Sequence, residues 1–202
     1  MKIVIEGMDG VGKTTVAKRI AQKISFKYVD GLMNSYFIDK GYTKEELKTL
    51  KKVVEDFYKI DDSIIRTWVM GMANIFNIQY YKDENLIIDR HCLTTYFWNA
   101  DEKSKNIYKV MQELVGKPDL IIILEASCET RIKRLYNRNI NDDDLNDKNK
   151  LIYGYDKFLE AAEFLDVNYI VINTDNKEQE EVYKEIEKFI LNYLKENKKN
   201  DE

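Results

Sequence analysis

The chain is poor in several residues that would mark other kinds of protein. It has one proline, Pro118, so no proline-rich linker divides it. It has two cysteines, Cys92 and Cys128, far apart and without the paired spacing of a metal site or a disulfide framework. A reduced, cytoplasmic setting fits that usage. Its single histidine, His91, is read as structural rather than catalytic. No apolar run approaches the roughly 20 residues of a membrane span, and the opening MKIVIEG lacks the apolar core of a secretion signal. The net charge of −4 offers no general basic face for nucleic acid. No internal repeat is visible.

What is present is the composition of a globular domain: 202 residues, 44% hydrophobic and 34% charged. Short, nearly continuous apolar runs lie at 2–6, 85–89, 118–125 and 167–174, with a weaker one at 26–30. Such runs fit strands covered on both faces. Helical patterns separate them, at 13–24, 43–60, 61–81, 127–138 and 175–196. Thr43 with Glu46 forms a capping box, Asp175 with Glu178 has the same spacing, and Ser127 is placed to cap its helix. Strands alternating with helices mean βαβ units. The expectation is an α/β fold of three layers, a five-stranded parallel sheet with helices on both faces. Residues 1–196 form one domain with a small lid at about 134–148, and 197–202 form a frayed tail. In such sheets ligands bind beyond the carboxyl ends of the strands.

Gly7-Met8-Asp9-Gly10-Val11-Gly12-Lys13-Thr14 fits the phosphate-loop pattern G-x-x-x-x-G-K-[ST] in full, after a strand and before an amphipathic helix. The glycines let backbone N–H groups turn inward onto phosphate oxygens, and the helix N-terminus adds partial positive charge. Gly7 through Thr15 are therefore the candidate ATP-binding residues. Lys13 reaches the outer phosphates, and the Thr14 hydroxyl can ligate Mg²⁺. This sheet would be a P-loop NTPase fold. No guanine-reading NKxD loop follows a strand, and the chain is short for a motor ATPase, so a small-molecule phosphotransferase is favoured.

Asp89 and Arg90 end a buried strand opposite that loop. Asp89 can hold Mg²⁺ or position an acceptor hydroxyl; Arg90 can fork onto phosphate oxygens as lysine would not. Arg131, Arg134 and Arg138 share one helical face and precede the acidic stretch NINDDDLND at 139–147. A lid carrying Arg134 and Arg138 would place cationic charge over the transferring phosphate. For Arg131 a solvated face is an equal reading.

These segments together resemble the thymidylate kinase family of P-loop nucleotide kinases. IVIEGMDGVGKTT is similar to that family's opening, acidic loop residue included. DRHCLTTYFW resembles its DRxxxS segment with Thr94 in place of serine, and KPDLIIILEASCETRIKRLYNR its PDLTxxLDVxxExxxxR unit. The resemblance implies phosphoryl transfer from ATP to a nucleoside monophosphate, dTMP first. It implies that Asp9 contacts the acceptor's sugar, that Arg66 on the long middle helix reaches the acceptor, and that Arg90 holds its phosphate. One departure stands out. Where the family carries REPGG after the second strand, this chain reads VDGLMNSYF, with Asp30 in place of the arginine. A carboxylate repels an incoming phosphate but can take a proton from a hydroxyl. Two alternatives therefore stay open: a deoxynucleoside kinase with Asp30 or Asp89 as base, and a non-catalytic nucleotide-binding protein. Tyr36, Phe37, Phe57 and Trp68 could stack on a base, and core packing is the first reading of each. The apolar helix 61–81 packs either inside the domain or across a homodimer interface.

Overall fold

The computed structural model describes residues 1–140, 143–145 and 155–200. Five strands form one parallel sheet: β1 (Lys2–Gly7), β2 (Lys27–Asp30), β3 (Leu86–Asp89), β4 (Leu120–Glu125) and β5 (Tyr169–Asn173), in the order β2-β3-β1-β4-β5. The apolar runs form this sheet because each buries both faces. Ile3, Val4, Ile5, Ile87, Ile88 and Ile122 have no exposed surface. The order reverses at β1, so the crevice at the switch point opens beyond the carboxyl end of β1 between β3 and β4.

Nine α-helices lie among the described residues: α1 (Lys13–Ile24), α2 (Asn34–Asp39), α3 (Lys44–Tyr58), α4 (Ser63–Tyr80), α5 (Cys92–Asn99), α6 (Lys105–Val115), α7 (Cys128–Arg138), α8 (Asp156–Phe164) and α9 (Gln179–Asn200). On one side α1 covers β1, β2 and β3 and packs on α9. On the other, α4 packs on α5 and α6, and α5 packs on α8.

The local signals hold where the chain is its own partner. Thr43 and Glu46 form a reciprocal capping box on α3, and the Ser127 hydroxyl caps α7 by accepting from Thr130 N–H. The last helix departs from its expected limits. It starts at Gln179 rather than at Asp175, and it runs to Asn200, through most of the segment expected to fray. Asp175 does not cap it; its carboxylate crosses to the start of α7 and accepts from Ser127 N–H at 2.9 and 3.0 Å. The expected lid begins on the last turn of α7 and includes a 3-10 turn at Asp143–Leu145; its residues 141, 142 and 146–148 lie outside the described ones.

Candidate functional site

β1 ends in Gly7, whose φ of 132° suits glycine. A Cβ there would stand 2.3 Å from the Leu124 carbonyl oxygen, so the chain can turn into the loop beside β4 only without a side chain. Gly12 caps α1 with φ 97° and open space around it. Asp9 through Thr15 line a cleft of about 760 Å³, which continues past Arg90 and α7 to the β5–α9 loop at Asn176–Gln179. Gly7 and Met8 do not line it. The cleft has the backbone donors and helix N-terminus that suit an anion.

Lys13 is 4% exposed. Its ammonium donates to the Met8 carbonyl at 2.6 Å and lies 3.9 Å from the Asp9 carboxylate. Burial lowers its pKa to about 8, and the Arg90 charge adds to that effect while Asp9 and Asp89 oppose it. The Thr14 hydroxyl donates to Asp89 Oδ2 at 2.5 Å, and the Tyr28 hydroxyl donates to the same oxygen at 3.2 Å. Asp89 Oδ1 is buried and has no hydrogen-bond partner among the described residues. A buried carboxylate oxygen beside a loop hydroxyl is the oxygen-donor chemistry that Mg²⁺ takes. The described residues hold no group of three or more His, Cys, Asp or Glu suited to a metal.

Arg90 follows β3 in the left-handed conformation, φ 73°. Its guanidinium pairs with the Asp9 carboxylate. Burial works against the charge, but the carboxylates of Asp9, Asp89 and Glu6 outweigh it and hold the pKa above the ordinary arginine value. The two residues assigned separately to the acceptor thus meet across the mouth of the loop.

Asp30 ends β2 in register with Asp89. Its Oδ1 accepts from Leu32 N–H at 2.9 Å and from the Asn34 amide at 3.0 Å. Burial raises its pKa; those two bonds pull the other way, and Asp89 adds repulsion. Gly31 follows in close contact with the Arg90 carbonyl.

Arg66, Arg134 and Arg138 each have protein partners. Arg66 donates to the Ile60 carbonyl just before α4 and does not line the cleft. Arg134 lines the cleft but turns its fork onto Thr174, donating to its hydroxyl at 2.8 Å and its carbonyl at 2.7 Å, and to the Lys177 carbonyl at 3.4 Å. It braces the β5–α9 loop. Arg138 pairs with Asp144 at 3.2 Å on the rim of the cleft. Arg131 is buried and donates from Nε to the Asp9 carbonyl at 3.0 Å, so it supports the phosphate loop from below. Of the aromatics, Tyr36 and Phe37 join an edge-packed group, Tyr36 reaching Phe76 and Tyr80. Trp68 departs from the core reading, 45% exposed on α4.

Sequence reasoning missed three contributors. Glu6 is fully buried and accepts bonds from the start of α5. Tyr28 bonds Asp89 from the neighbouring strand. The Tyr58 phenol, at the end of α3, is raised in pKa by burial; Arg90 and a bond with Asn99 oppose that, and Asp9 adds to it. Only Glu6 had a sequence signal, its place immediately before Gly7.

Among known proteins, the family model described as thymidylate kinase matches residues 66–186. The chain is 28% identical over 200 residues to a probable thymidylate kinase of Methanocaldococcus jannaschii, covering 96% of each chain. It is 29% identical over 143 residues to a deoxyguanosine kinase of Bacillus subtilis, covering 67% of this chain and 66% of that one. Its fold is similar to that of a deoxyadenosine kinase from M. mycoides, solved with the products dCMP and a flexible dCDP, with TM-score 0.60 and 20% identity over 97% of this chain and 100% of that one.

Proposed function

Because the chain belongs to the thymidylate kinase family and is a P-loop nucleotide kinase, we propose that it transfers the γ-phosphate of ATP to a nucleoside monophosphate, dTMP before others. The observation that carries this reading is the Arg90–Asp9 pair at the mouth of the phosphate loop. There a planar cation is held ready by a carboxylate that an incoming phosphate can replace. In this reading Gly7 through Thr15 cradle the donor phosphates, and Lys13 stabilises charge on the transferring group. Thr14 and Asp89 would hold Mg²⁺, which would supply charge neutralisation at the phosphate oxygens. Asp9, released from Arg90, turns to the acceptor's sugar. Arg138 belongs to the lid at 134–148 and leaves Asp144 to meet the phosphates. Arg134 keeps the loop after β5 in place for the donor's base. Arg66 reaches the acceptor only by giving up the Ile60 carbonyl.

Asp30 favours a second reading, a deoxynucleoside acceptor. A buried carboxylate with a raised pKa at the end of β2 suits a base for a hydroxyl better than a neighbour for a phosphate. The kinship to a protein named deoxyguanosine kinase supports it. Both readings place the reaction in the cytoplasm. A homodimer goes with them through α4, where Ile65, Trp68 and Met72 are exposed on one face. No helix among the described residues is long and apolar enough to cross a membrane.

The test is ADP release with Mg-ATP and a panel of monophosphates and deoxynucleosides, for the wild type and for Asp30→Asn. Under the first reading dTMP is turned over and Asp30→Asn leaves kcat nearly unchanged. Under the second, only nucleosides are turned over and Asp30→Asn lowers kcat by about 10²–10⁴-fold, the usual contribution of a general base. Turnover of nucleosides alone defeats the first reading.

A further inference from the structure

α5 has no cap of its own. The His91 side chain makes no capping bond, yet seven of the helix's eight residues are buried. Its first N–H groups need acceptors away from water. Glu6 supplies them from the end of β1, with no exposed surface of its own. Its Oε1 accepts from His91 N–H at 2.9 Å, Leu93 N–H at 3.1 Å and Thr94 N–H at 3.3 Å. Its Oε2 accepts from the Thr94 hydroxyl at 2.5 Å.

The residue just before this cap is Arg90. Its left-handed backbone costs a non-glycine residue about 1–2 kcal/mol, so neighbours must impose it. Two consecutive residues of β1 do so. Ile5 takes the Arg90 N–H on its carbonyl at 3.0 Å, and Glu6 takes the N–H of the next residue. On the far side the Arg90 carbonyl abuts Gly31. The backbone of Arg90 is held at both peptide groups, and its guanidinium leaves that point toward Asp9.

We propose that Glu6 is a positioning residue for the transfer reaction: by capping α5 it fixes the backbone of Arg90, and so sets where the guanidinium meets the acceptor. This rests on the reading of Arg90 as an acceptor-side group. Glu6 has no exposed surface and does not line the donor cleft, so its loss should separate acceptor use from ATP binding. Glutamine keeps the oxygen that takes the three N–H groups, and the Thr94 hydroxyl can turn to accept from its amide. Aspartate keeps the charge but is one methylene too short to reach.

The experiment measures kcat and KM for the acceptor that the wild type uses, the Kd of ATP, and thermal stability, for Glu6→Gln, Glu6→Asp and Thr94→Val. Glu6→Gln should stay within about fivefold of wild type. Glu6→Asp should lose about 10²-fold in acceptor kcat/KM, the scale of a misplacement near 1 Å, with ATP affinity unchanged. Thr94→Val should show a smaller loss in the same parameter, and it decides the matter if Glu6→Asp does not fold. A purely structural cap lowers stability without changing acceptor kinetics below the melting temperature. That outcome, or a loss shared equally with ATP affinity, overturns the proposal. Failure of the monophosphate reading shows separately, as a wild type that turns over nucleosides only.

Discussion

Gly31→Ala is the substitution in which the geometry commits itself most sharply. Gly31 donates its N–H to the Asp89 carbonyl at 2.9 Å, so the end of β2 is fastened to the end of β3. A Cβ at Gly31 would stand 2.1 Å from the Arg90 carbonyl oxygen, 2.8 Å from the Arg90 carbonyl carbon and 2.9 Å from the Asp89 carbonyl oxygen. All three are backbone atoms, so no rotamer change relieves the clash. Ordinary contact needs a separation of roughly 3.2 Å or more, so the strand ends must part by about 1 Å. The stability cost should be about 1–3 kcal/mol, as for other overpacked sites. A kinetic cost of similar size should accompany it, because the displaced peptide carries Arg90. A displacement near 1 Å costs about 10²-fold, or about 2.7 kcal/mol of transition-state stabilisation. Steady-state kinetics with the acceptor varied should show that loss in kcat/KM, while equilibrium titration shows ATP affinity unchanged. Gly116→Ala is the control, since it also costs stability at φ 83° but meets nothing within 4 Å. Acceptor kinetics within threefold of wild type in a folded Gly31→Ala protein would refute the close-approach argument.

Two further predictions concern protons. Burial holds the only histidine, His91, at a pKa of about 4 against 6.5 unfolded. The unfolded chain therefore binds more protons between those values, and stability falls as pH drops from 6.5 toward 4, by about 3 kcal/mol in all. Urea melts across that range should show a shallower slope for His91→Gln than for wild type, and equal slopes would show that His91 is not buried neutral. Burial likewise brings Lys13 to about 8, and a bound phosphate restores the charged form. ATP binding at pH 8.5 should take up a fraction of a proton, read from calorimetry in buffers of different ionisation enthalpy, and Lys13→Met should abolish that uptake; an uptake unchanged by the substitution would assign it to another group.

How far the sequence discloses this molecule depends on whether an interaction is local. Thr43 and Glu46 lie three residues apart and need nothing else, so their capping box is readable. Asp175 and Glu178 have the same spacing, but the Asp175 carboxylate lies beside Ser127 N–H, 48 residues earlier, and that partner wins. The central strands are readable because both faces of the sheet are covered. α5 defeats the same method for the same reason, since a helix buried nearly all round has no polar face and shows no period. Its cap, Glu6, lies 85 residues before His91, beyond any local pattern.

The same distinction separates the two halves of the site. The proposed donor half is one unbroken segment, Gly7 to Thr15, so its chemistry can be read residue by residue. In the proposed reading the acceptor half comes from the ends of β2 and β3, and its meaning lies in their register. Pairing Asp30 with Asp89 sets two carboxylates side by side, one of them already raised in pKa by burial. A dianionic phosphate entering there meets repulsion from both unless a cation intervenes. Arg90 is that cation: it follows Asp89 directly and is drawn across the gap by Asp9. Arg66, held on the Ile60 carbonyl, gives it no help in this arrangement. The choice between a phosphate and a hydroxyl acceptor therefore turns on one guanidinium against two carboxylates. Exchanging Asp30 for asparagine tips that balance without moving either strand.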